Sequence, residues 1–207
     1  MKSTKEKMLK AAVQLFQTQG YDRTSVRDIA AAANVNVALI SYYFGGKKGL
    51  YEKLITEFLE GYLQVMSAVM RTSYASEKER LLSLIKALLI YQTSNHDVAR
   101  MAHREMTLDS TVVRELMTIY SRKEKHDFEE VIRAGMKTGE FVRRPLDYVV
   151  IHLKTMITMP YLSPHYLYEI FQISPSEANF VECYMKHLEQ WVDVWLCQRV
   201  KQLTPIS

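Results

Sequence analysis

Residues 24–44, TSVRDIAAAANVNVALISYYF, combine side chains that cap helices with side chains that could contact DNA. The hydroxyl of Ser25, or of the threonine before it, can cap free backbone N–H groups, and Asp28 follows Ser25 at capping-box spacing. Asn34 tolerates the left-handed conformation that ends a helix, so a second helix can begin near Asn36. The sequence therefore predicts two short helices joined by a tight turn, the helix-turn-helix pattern whose second helix lies in the DNA major groove.

The side chains of this stretch divide into a packing set and a set that could face DNA. Helical spacing predicts that the packing set is Val26, Ile29, Ile40, Tyr43 and Phe44. Val37 and Ala38 offer only apolar contact, for instance to a thymine methyl group. Asn36 and Ser41 can hydrogen-bond to bases or phosphates. The side chains better placed for phosphates, which fix register without reading sequence, are Ser25, Arg27, Tyr42, Lys47 and Lys48.

The elements around this stretch complete a three-helix DNA-binding domain. An amphipathic pattern predicts a first helix over residues 4–19 that Gly20 ends. The glycines at 45 and 46 break the chain after the second helix of the pair. The lysines at 47 and 48 then open a long helix that can reach residue 73, and the N–H groups at its start suit a phosphate.

Capping signals predict further helices and no strand, so the fold class is all-α with roughly ten helices. The predicted helices cover residues 76–93, 96–107, 111–137, 145–159, 163–171 and 174–203. Pro160 should stop the fourth of these, and Ser174, Pro175 and Glu177 should start the last. Residues 1–48 are the predicted helix-turn-helix domain, and residues 49–207 are the predicted dimerisation and regulatory domain.

Composition and charge suit a DNA partner better than a membrane. The chain has 207 residues, of which 48% are hydrophobic, and it shows no signal peptide and no apolar run of the ~20 residues that a membrane helix needs. Residues 1–50 carry eight basic and three acidic side chains, whereas the remainder has a net charge of −1. A basic N-terminal part favours a polyanionic partner. We expect a cytoplasmic, nucleoid-associated protein.

Two longer stretches resemble the TetR-type regulators: residues 8–30, MLKAAVQLFQTQGYDRTSVRDIA, and residues 35–50, VNVALISYYFGGKKGL. The resemblance lies in Phe16 followed by Gly20 and Tyr21, then a threonine cap, an Ile-Ala pair and a Tyr-Phe pair before a lysine-containing helix start. It implies a DNA-binding domain joined to a helical body that often holds a ligand pocket. The chain departs from the family pattern at residues 38–41, where ALIS replaces the common Gly-Thr-apolar-Tyr, so the resemblance implies no tyrosine contact to phosphate at Ser41.

The stretches SVRDIA, ANVNVALISYYF, HREMTLDSTVVRELM and MPYLSP further resemble members of this family that act in spore-forming bacilli. That resemblance implies a spatial regulator of cell division and chromosome position that acts through the tubulin-like protein FtsZ. The alternative is a ligand-responsive repressor of a nearby operon. The candidate partner surface comprises Arg104, Glu105, Arg114 and Glu115. A solvated charged surface explains these four residues equally well.

We also expect a two-fold homodimer on palindromic DNA, because one helix-turn-helix reads only a few base pairs. Two apolar helices supply the predicted interface, namely Val149, Leu153, Met156, Tyr184, Leu188, Trp191 and Trp195. The methionines and tyrosines of the body could line a ligand pocket, although packing is the favoured interpretation. The histidines are scattered, and no phosphate loop or nucleophile motif is present. The sequence therefore predicts no metal site, no cofactor and no enzymatic activity.

Overall fold

The computed structural model describes residues 3–107 and 114–197, apart from the side chains of residues 105–107, 114 and 116. The described part is all-helical and contains no strand, which confirms the predicted fold class. Its helices are α1 (Thr4–Gln19), α2 (Val26–Ala33), α3 (Ala38–Phe44), α4 (Lys47–Arg71), α5 (Glu77–Ser94), α6 (His96–Thr107), α7 (Arg114–Thr138), α8 (Leu146–Leu162), α9 (Pro164–Phe171) and α10 (Phe180–Trp191), followed by a π-helical segment (Val192–Cys197). Among these described helices, none is both long and apolar enough to cross a membrane.

The chain divides into two compact units. Unit 1 comprises the residues up to Gly61 together with Asn95–Tyr120, and unit 2 comprises Tyr62–Ser94 and the residues from Ser121 onward. This division differs from a boundary at residue 48, because the first part of α4 and all of α6 belong to unit 1. Helices α4 and α7 each contribute residues to both units.

Unit 1 is held together by an aromatic core and by polar contacts between α1 and α6. The rings of Phe16 and Tyr51 meet edge to face with centroids 5.1 Å apart, and both side chains are buried. The Gln17 amide donates to the Asp97 carboxylate at 2.7 Å, and the Arg104 guanidinium donates to the Phe16 carbonyl at 3.4 Å. These long-range bonds explain why α6 groups with the N-terminal helices.

Unit 2 contains a buried polar network. Glu124 is almost fully buried; one carboxylate oxygen accepts from the Tyr62 hydroxyl at 2.6 Å and the other from the Lys154 ammonium at 2.5 Å. Nearby, the Tyr161 hydroxyl donates to the Leu89 carbonyl at 2.9 Å and joins α8 to α5. Burial of charged and polar groups is tolerated here because each of these groups has a partner.

Helix α8 continues past Pro160, so the prediction that it stops there is wrong. A proline inside a helix leaves the carbonyl four residues earlier without its backbone donor. In this structure that carbonyl, on Met156, accepts a hydrogen bond from the Tyr184 hydroxyl at 2.9 Å. The Tyr184 hydroxyl replaces the hydrogen bond that the proline cannot make, and the helix runs on to Leu162.

The last helix begins at Phe180 and not after Ser174. The Ser174 hydroxyl shares a hydrogen bond with the Ser176 hydroxyl at 2.8 Å, so it does not cap the following N–H groups. Pro175 is buried, and its carbonyl accepts from the Thr93 hydroxyl at 3.4 Å. These contacts hold the segment as turns against α5, despite a sequence that favours a helix start.

Buried tyrosines predict a loss of stability at high pH. Burial raises the pKa of Tyr161 from 10.0 to about 12, and burial beside the Glu124 carboxylate also raises the pKa of Tyr62. A raised folded-state pKa means that the folded state holds its proton where the unfolded state has lost it. The stabilisation is complete below pH ~10 and disappears as the pH rises through ~12. Urea unfolding between pH 8 and 11.5 should show the free energy of unfolding falling above pH 10.

The Tyr161→Phe variant serves as the control for this pH prediction. It removes one of the titrating hydroxyls, so its stability should decline less steeply above pH 10 than that of the parent, by up to about 1.4 kcal/mol per pH unit. Parallel declines in the two proteins would show that Tyr161 does not contribute.

Candidate nucleic-acid interface

The start of α2 is fixed by the capping box that the sequence predicts. The Ser25 hydroxyl accepts from the Asp28 N–H at 3.1 Å, and the Asp28 carboxylate accepts from the Ser25 N–H at 2.9 Å. Hydrogen bonding from the Ser25 hydroxyl and from the Ser25 backbone N–H to the Asp28 carboxylate holds the pKa of that carboxyl below its ordinary value. Arg27 is exposed in the first turn of α2. Both DNA-contact candidates here therefore stand at a rigid helix N-terminus.

The turn between α2 and α3 depends on two asparagines. Asn34 has φ 52° and ψ 54°, the left-handed conformation expected at the end of α2. The Asn36 side-chain oxygen accepts from the Ala38 N–H at 2.9 Å and so caps α3. The helix-turn-helix geometry expected from residues 24–44 is present. Because the side-chain oxygen of Asn36 is used for the cap, the side-chain NH₂ is the group of Asn36 that can contact a ligand.

Helix α3 buries one side and exposes the other. Ile40 is fully buried, whereas Tyr42 is 79% exposed and Val37 is 41% exposed. Ala38 and Ser41 are exposed as well, so the structure places the five residues 36, 37, 38, 41 and 42 on the accessible side. At 100° per residue, positions 38 and 42 lie nearly opposite Ile40.

Tyr43 is not a core residue, which corrects the sequence-based assignment. Its side chain is 39% exposed, with the Lys5 ammonium 4.9 Å from its ring centroid and the Tyr42 ring packed edgewise against it. Three positions after Ile40 the helix has turned to the edge of its packed face, so α1 covers the ring only partly. Val26 and Phe44 are half-buried, and Ile29 is buried as predicted.

The connection from α3 to α4 is compact. Gly45 and Gly46 both have positive φ, 72° and 104°, a conformation that side chains disfavour. Gly49, in the first turn of α4, lies against the end of α3; a Cβ built there would be 1.9 Å from the Phe44 carbonyl oxygen. Position 49 therefore requires glycine because a side chain would collide with Phe44, and not because the backbone there has a positive φ.

The two lysines that open α4 have different surroundings. The Lys47 ammonium donates to the Tyr21 carbonyl at 3.0 Å and lies 4.3 Å from the centroid of the Tyr21 ring. Lys48 is exposed, and its nearest partner is Glu52 at 3.7 Å. Lys47 therefore holds the start of α4 to the turn that follows α1, while Lys48 is the better placed of the two to contact a phosphate.

We predict that Lys48→Ala weakens DNA binding without affecting the fold. Loss of one phosphate contact should lower affinity severalfold on every sequence and reduce the slope of log K against log salt by about 0.9. Fluorescence anisotropy across a salt series measures both quantities. Lys47→Ala is the comparison: it should also lower the thermal midpoint, because it removes the contacts with Tyr21. An unchanged salt slope in Lys48→Ala would contradict this assignment.

The predicted dimer interface needs correction. Val149, Leu153 and Leu188 are buried within the single chain, so their side chains cannot supply surface to a partner copy. Met156, Tyr184, Trp191 and Trp195 are half-buried. The large apolar side chains that α8 and the π-helical segment do expose are Tyr148, Ile151 and Val194, at 63%, 55% and 50%. The sequence pattern identified apolar helices correctly but could not tell the inward face from the outward one.

The candidate partner surface is only partly described. Arg104 is half-buried and donates to the Phe16 carbonyl within unit 1, so it is engaged in holding α6 to α1. Glu115 is exposed. The side chains of Glu105 and Arg114 lie outside the described residues.

One group of potential metal ligands was not predicted from the sequence, because the prediction considered only pairs of histidines. On α7, single ligand atoms of His126, Asp127 and Glu130 lie within 4.8 Å of one another. His126 and Glu130 stand one helical turn apart, a spacing visible in sequence. Asp127 is buried and already paired with the Lys123 ammonium, which opposes binding of a second cation.

Half of the described methionines and tyrosines that could line a ligand pocket are buried. Tyr62, Met66, Met101, Met117 and Tyr161 are buried in the single chain. The partly exposed members of the set are Met70, Tyr91, Tyr120, Met156 and Met159. Burial of the first five suits the favoured interpretation as core packing, and a ligand-lining role for the set stays a prediction.

Comparisons with known proteins agree with this geometry. The family model described as "Bacterial regulatory proteins, tetR family" matches residues 8–54. The chain is 42% identical over 191 residues to the "Probable HTH-type transcriptional regulator YttP" of Bacillus subtilis, a match that covers 92% of each chain.

Among solved structures, the fold is similar to the ketosteroid transcriptional regulator KstR2 of Mycobacterium tuberculosis, with a TM-score of 0.79, 17% identity and coverage of 96% of this chain and 97% of that one. It is also similar to AibR in complex with isovaleryl coenzyme A and operator DNA, with a TM-score of 0.73, 18% identity and coverage of 95% and 100%. At these identities the likeness concerns the fold.

Proposed function

Because the chain belongs to the TetR family of DNA-binding transcriptional regulators, we propose that it is a homodimeric repressor that binds an inverted repeat and is released from it by a small molecule. The observation that carries the DNA-binding part is the exposed side of α3, held on a capped helix pair whose opposite side is buried. We call α3 the recognition helix from here on.

The homodimer follows from the size of the DNA-binding element. A recognition helix of seven residues contacts only a few base pairs, and a two-fold dimer doubles the contacts on a palindrome. The exposed Tyr148, Ile151 and Val194 of unit 2 are the apolar surface we assign to the partner copy. Half-sites should be about one helical turn apart, ~34 Å, or somewhat more. A monomer at micromolar concentration in sedimentation equilibrium would contradict this assignment.

A ligand-responsive role is supported by what the similar structures are described as doing. AibR is described in complex with both isovaleryl coenzyme A and operator DNA, and KstR2 is described as a ketosteroid regulator. The candidate sensor in this chain is the helical part after residue 48. A ligand can shift DNA binding only if it binds one conformation more tightly than the other.

Mapping of bound sites in the native host tests this function. We expect a small number of palindromes, at least one of which overlaps a promoter that becomes active when the gene for this protein is deleted. A library of small acids, acyl-coenzyme A esters and steroids would then be screened for release of that DNA in vitro. Promoters that never respond to deletion, at any bound site, would contradict a repressor.

A second candidate is spatial regulation of cell division, and it rests on the resemblance of four sequence stretches to RefZ, which acts on FtsZ in sporulating bacilli. The Bacillus subtilis relative is named as a probable transcriptional regulator, and KstR2 is a ketosteroid transcriptional regulator. We therefore place this candidate second. Bound palindromes clustered around the replication origin would favour it, and Glu115→Lys should then disturb division without affecting DNA binding.

A further inference from the structure

The recognition helix lacks the side chains that read bases through paired hydrogen bonds. Its sequence, ALISYYF, has no Arg, Lys, Asn, Gln, Asp or Glu. In the major groove, Arg and Lys read guanine and Asn and Gln read adenine through two parallel hydrogen bonds. Helix α3 itself can make neither contact.

Asn36, just before the helix, does not fill this role. Reading adenine requires the side-chain oxygen and the side-chain nitrogen of one asparagine together. The Asn36 oxygen accepts from the Ala38 N–H at 2.9 Å and caps the helix, so only its NH₂ can face a base. A lone donor cannot distinguish guanine from thymine, since both present acceptors in the major groove.

Apolar groups and single hydroxyls remain on the accessible side. Ala38 and Val37 present methyl groups, with Val37 41% exposed, and Ser41 presents one hydroxyl. Tyr42, 79% exposed, presents a ring and a hydroxyl at the outer edge. The apolar group in the major groove that distinguishes one base from the others is the C5 methyl of thymine.

We propose that Val37, just before the recognition helix, and Ala38, its first residue, discriminate DNA sequences chiefly by contact with thymine methyl groups. Each half-site should then contain a thymine, on one strand or the other, at the base pairs that Val37 and Ala38 contact. This inference rests on the proposed sequence-specific DNA binding and names the chemical feature that such binding recognises.

Replacement of thymine by uracil tests the inference, because uracil keeps every hydrogen-bonding group and lacks only the methyl. Duplexes are first selected from a random library with the full-length protein. Each thymine of the half-site is then replaced by uracil, one at a time. We expect a loss of affinity of about fourfold per contacted methyl, from the transfer energy of one methyl-sized group. The salt dependence should be unchanged, because no phosphate contact is altered.

Val37→Thr provides the matched protein variant, since threonine keeps the shape of valine and replaces one methyl group by a hydroxyl. On thymine-containing DNA the variant should bind more weakly than the parent. On the corresponding uracil duplex the difference should shrink, and that non-additivity identifies the methyl that Val37 contacts.

Two results would overturn the inference, and they are distinguishable. If uracil is tolerated at every thymine while 7-deazaguanine, which lacks the N7 acceptor, lowers affinity, the sites are read through guanine; specific binding then stands and the methyl readout fails. If no duplex is enriched over random DNA, the inference fails together with the proposed function.

Discussion

Replacing Ala38 by glutamate should abolish DNA binding while leaving the protein folded. Ala38 is exposed and is the first residue of the recognition helix. A carboxylate placed there would face the phosphates of the groove, and unfavourable charge of this kind costs several kcal/mol at an interface. We expect at least a 100-fold loss of affinity on every sequence. Anisotropy titration with a selected duplex measures it.

The same substitution should be neutral or favourable for folding. A negative charge in the first turn of a helix interacts well with the positive end of the helix dipole, by about 0.3–1 kcal/mol. Thermal unfolding of Ala38→Glu should therefore match or exceed the parent.

His165→Glu is the control for Ala38→Glu, because it adds the same charge to the exposed first turn of α9 in unit 2. It should leave DNA affinity within about twofold of the parent. Retained binding in Ala38→Glu would show that α3 does not enter the groove.

Replacing Lys154 by methionine should cause a large loss of stability. The ammonium pairs with Glu124, whose side chain is only 6% exposed, and its own side chain is 27% exposed. Removing one partner of a buried pair leaves an uncompensated charge, and the cost is about 3–5 kcal/mol. Chemical denaturation at fixed protein concentration should show a lower midpoint with an unchanged slope.

The double variant Glu124→Gln with Lys154→Met separates charge from packing. Glutamine can still accept the Tyr62 hydroxyl through its amide oxygen, and no buried charge is left without a partner. Its stability should therefore recover most of the loss seen in Lys154→Met. A double variant as unstable as Lys154→Met would mean that the lysine acts through its aliphatic stem rather than its charge.

The N-terminal helices could be predicted from sequence because their signals are local. The capping box of Ser25 and Asp28, the left-handed Asn34 and the paired glycines each act within a few residues, and the structure contains them all. The same holds for the cap from Asn36. These local hydrogen bonds and backbone angles fix the helix ends independently of the rest of the protein.

The errors arose where distant residues decide the outcome. Pro160 remains inside α8 because Tyr184, far along the chain, supplies the missing hydrogen bond. The segment after Ser174 forms turns because the Pro175 carbonyl accepts a hydrogen bond from Thr93 of α5. The inward direction of Val149 and Leu153 depends on which helices cover them. Hydrophobic periodicity shows that a face is apolar and says nothing about what meets it.

Gly49 lies so close to Phe44 that a side chain would not fit between the end of the recognition helix and the first turn of α4. Because the two helices are packed together at this corner, we expect a tilt of the first turn of α4 to rotate the recognition helix with it. Seven residues make the recognition helix ~10 Å long, and a tilt of about 10° would move its far end by ~2 Å. A displacement of that size separates methyl groups and hydrogen-bonding atoms from the bases they touch.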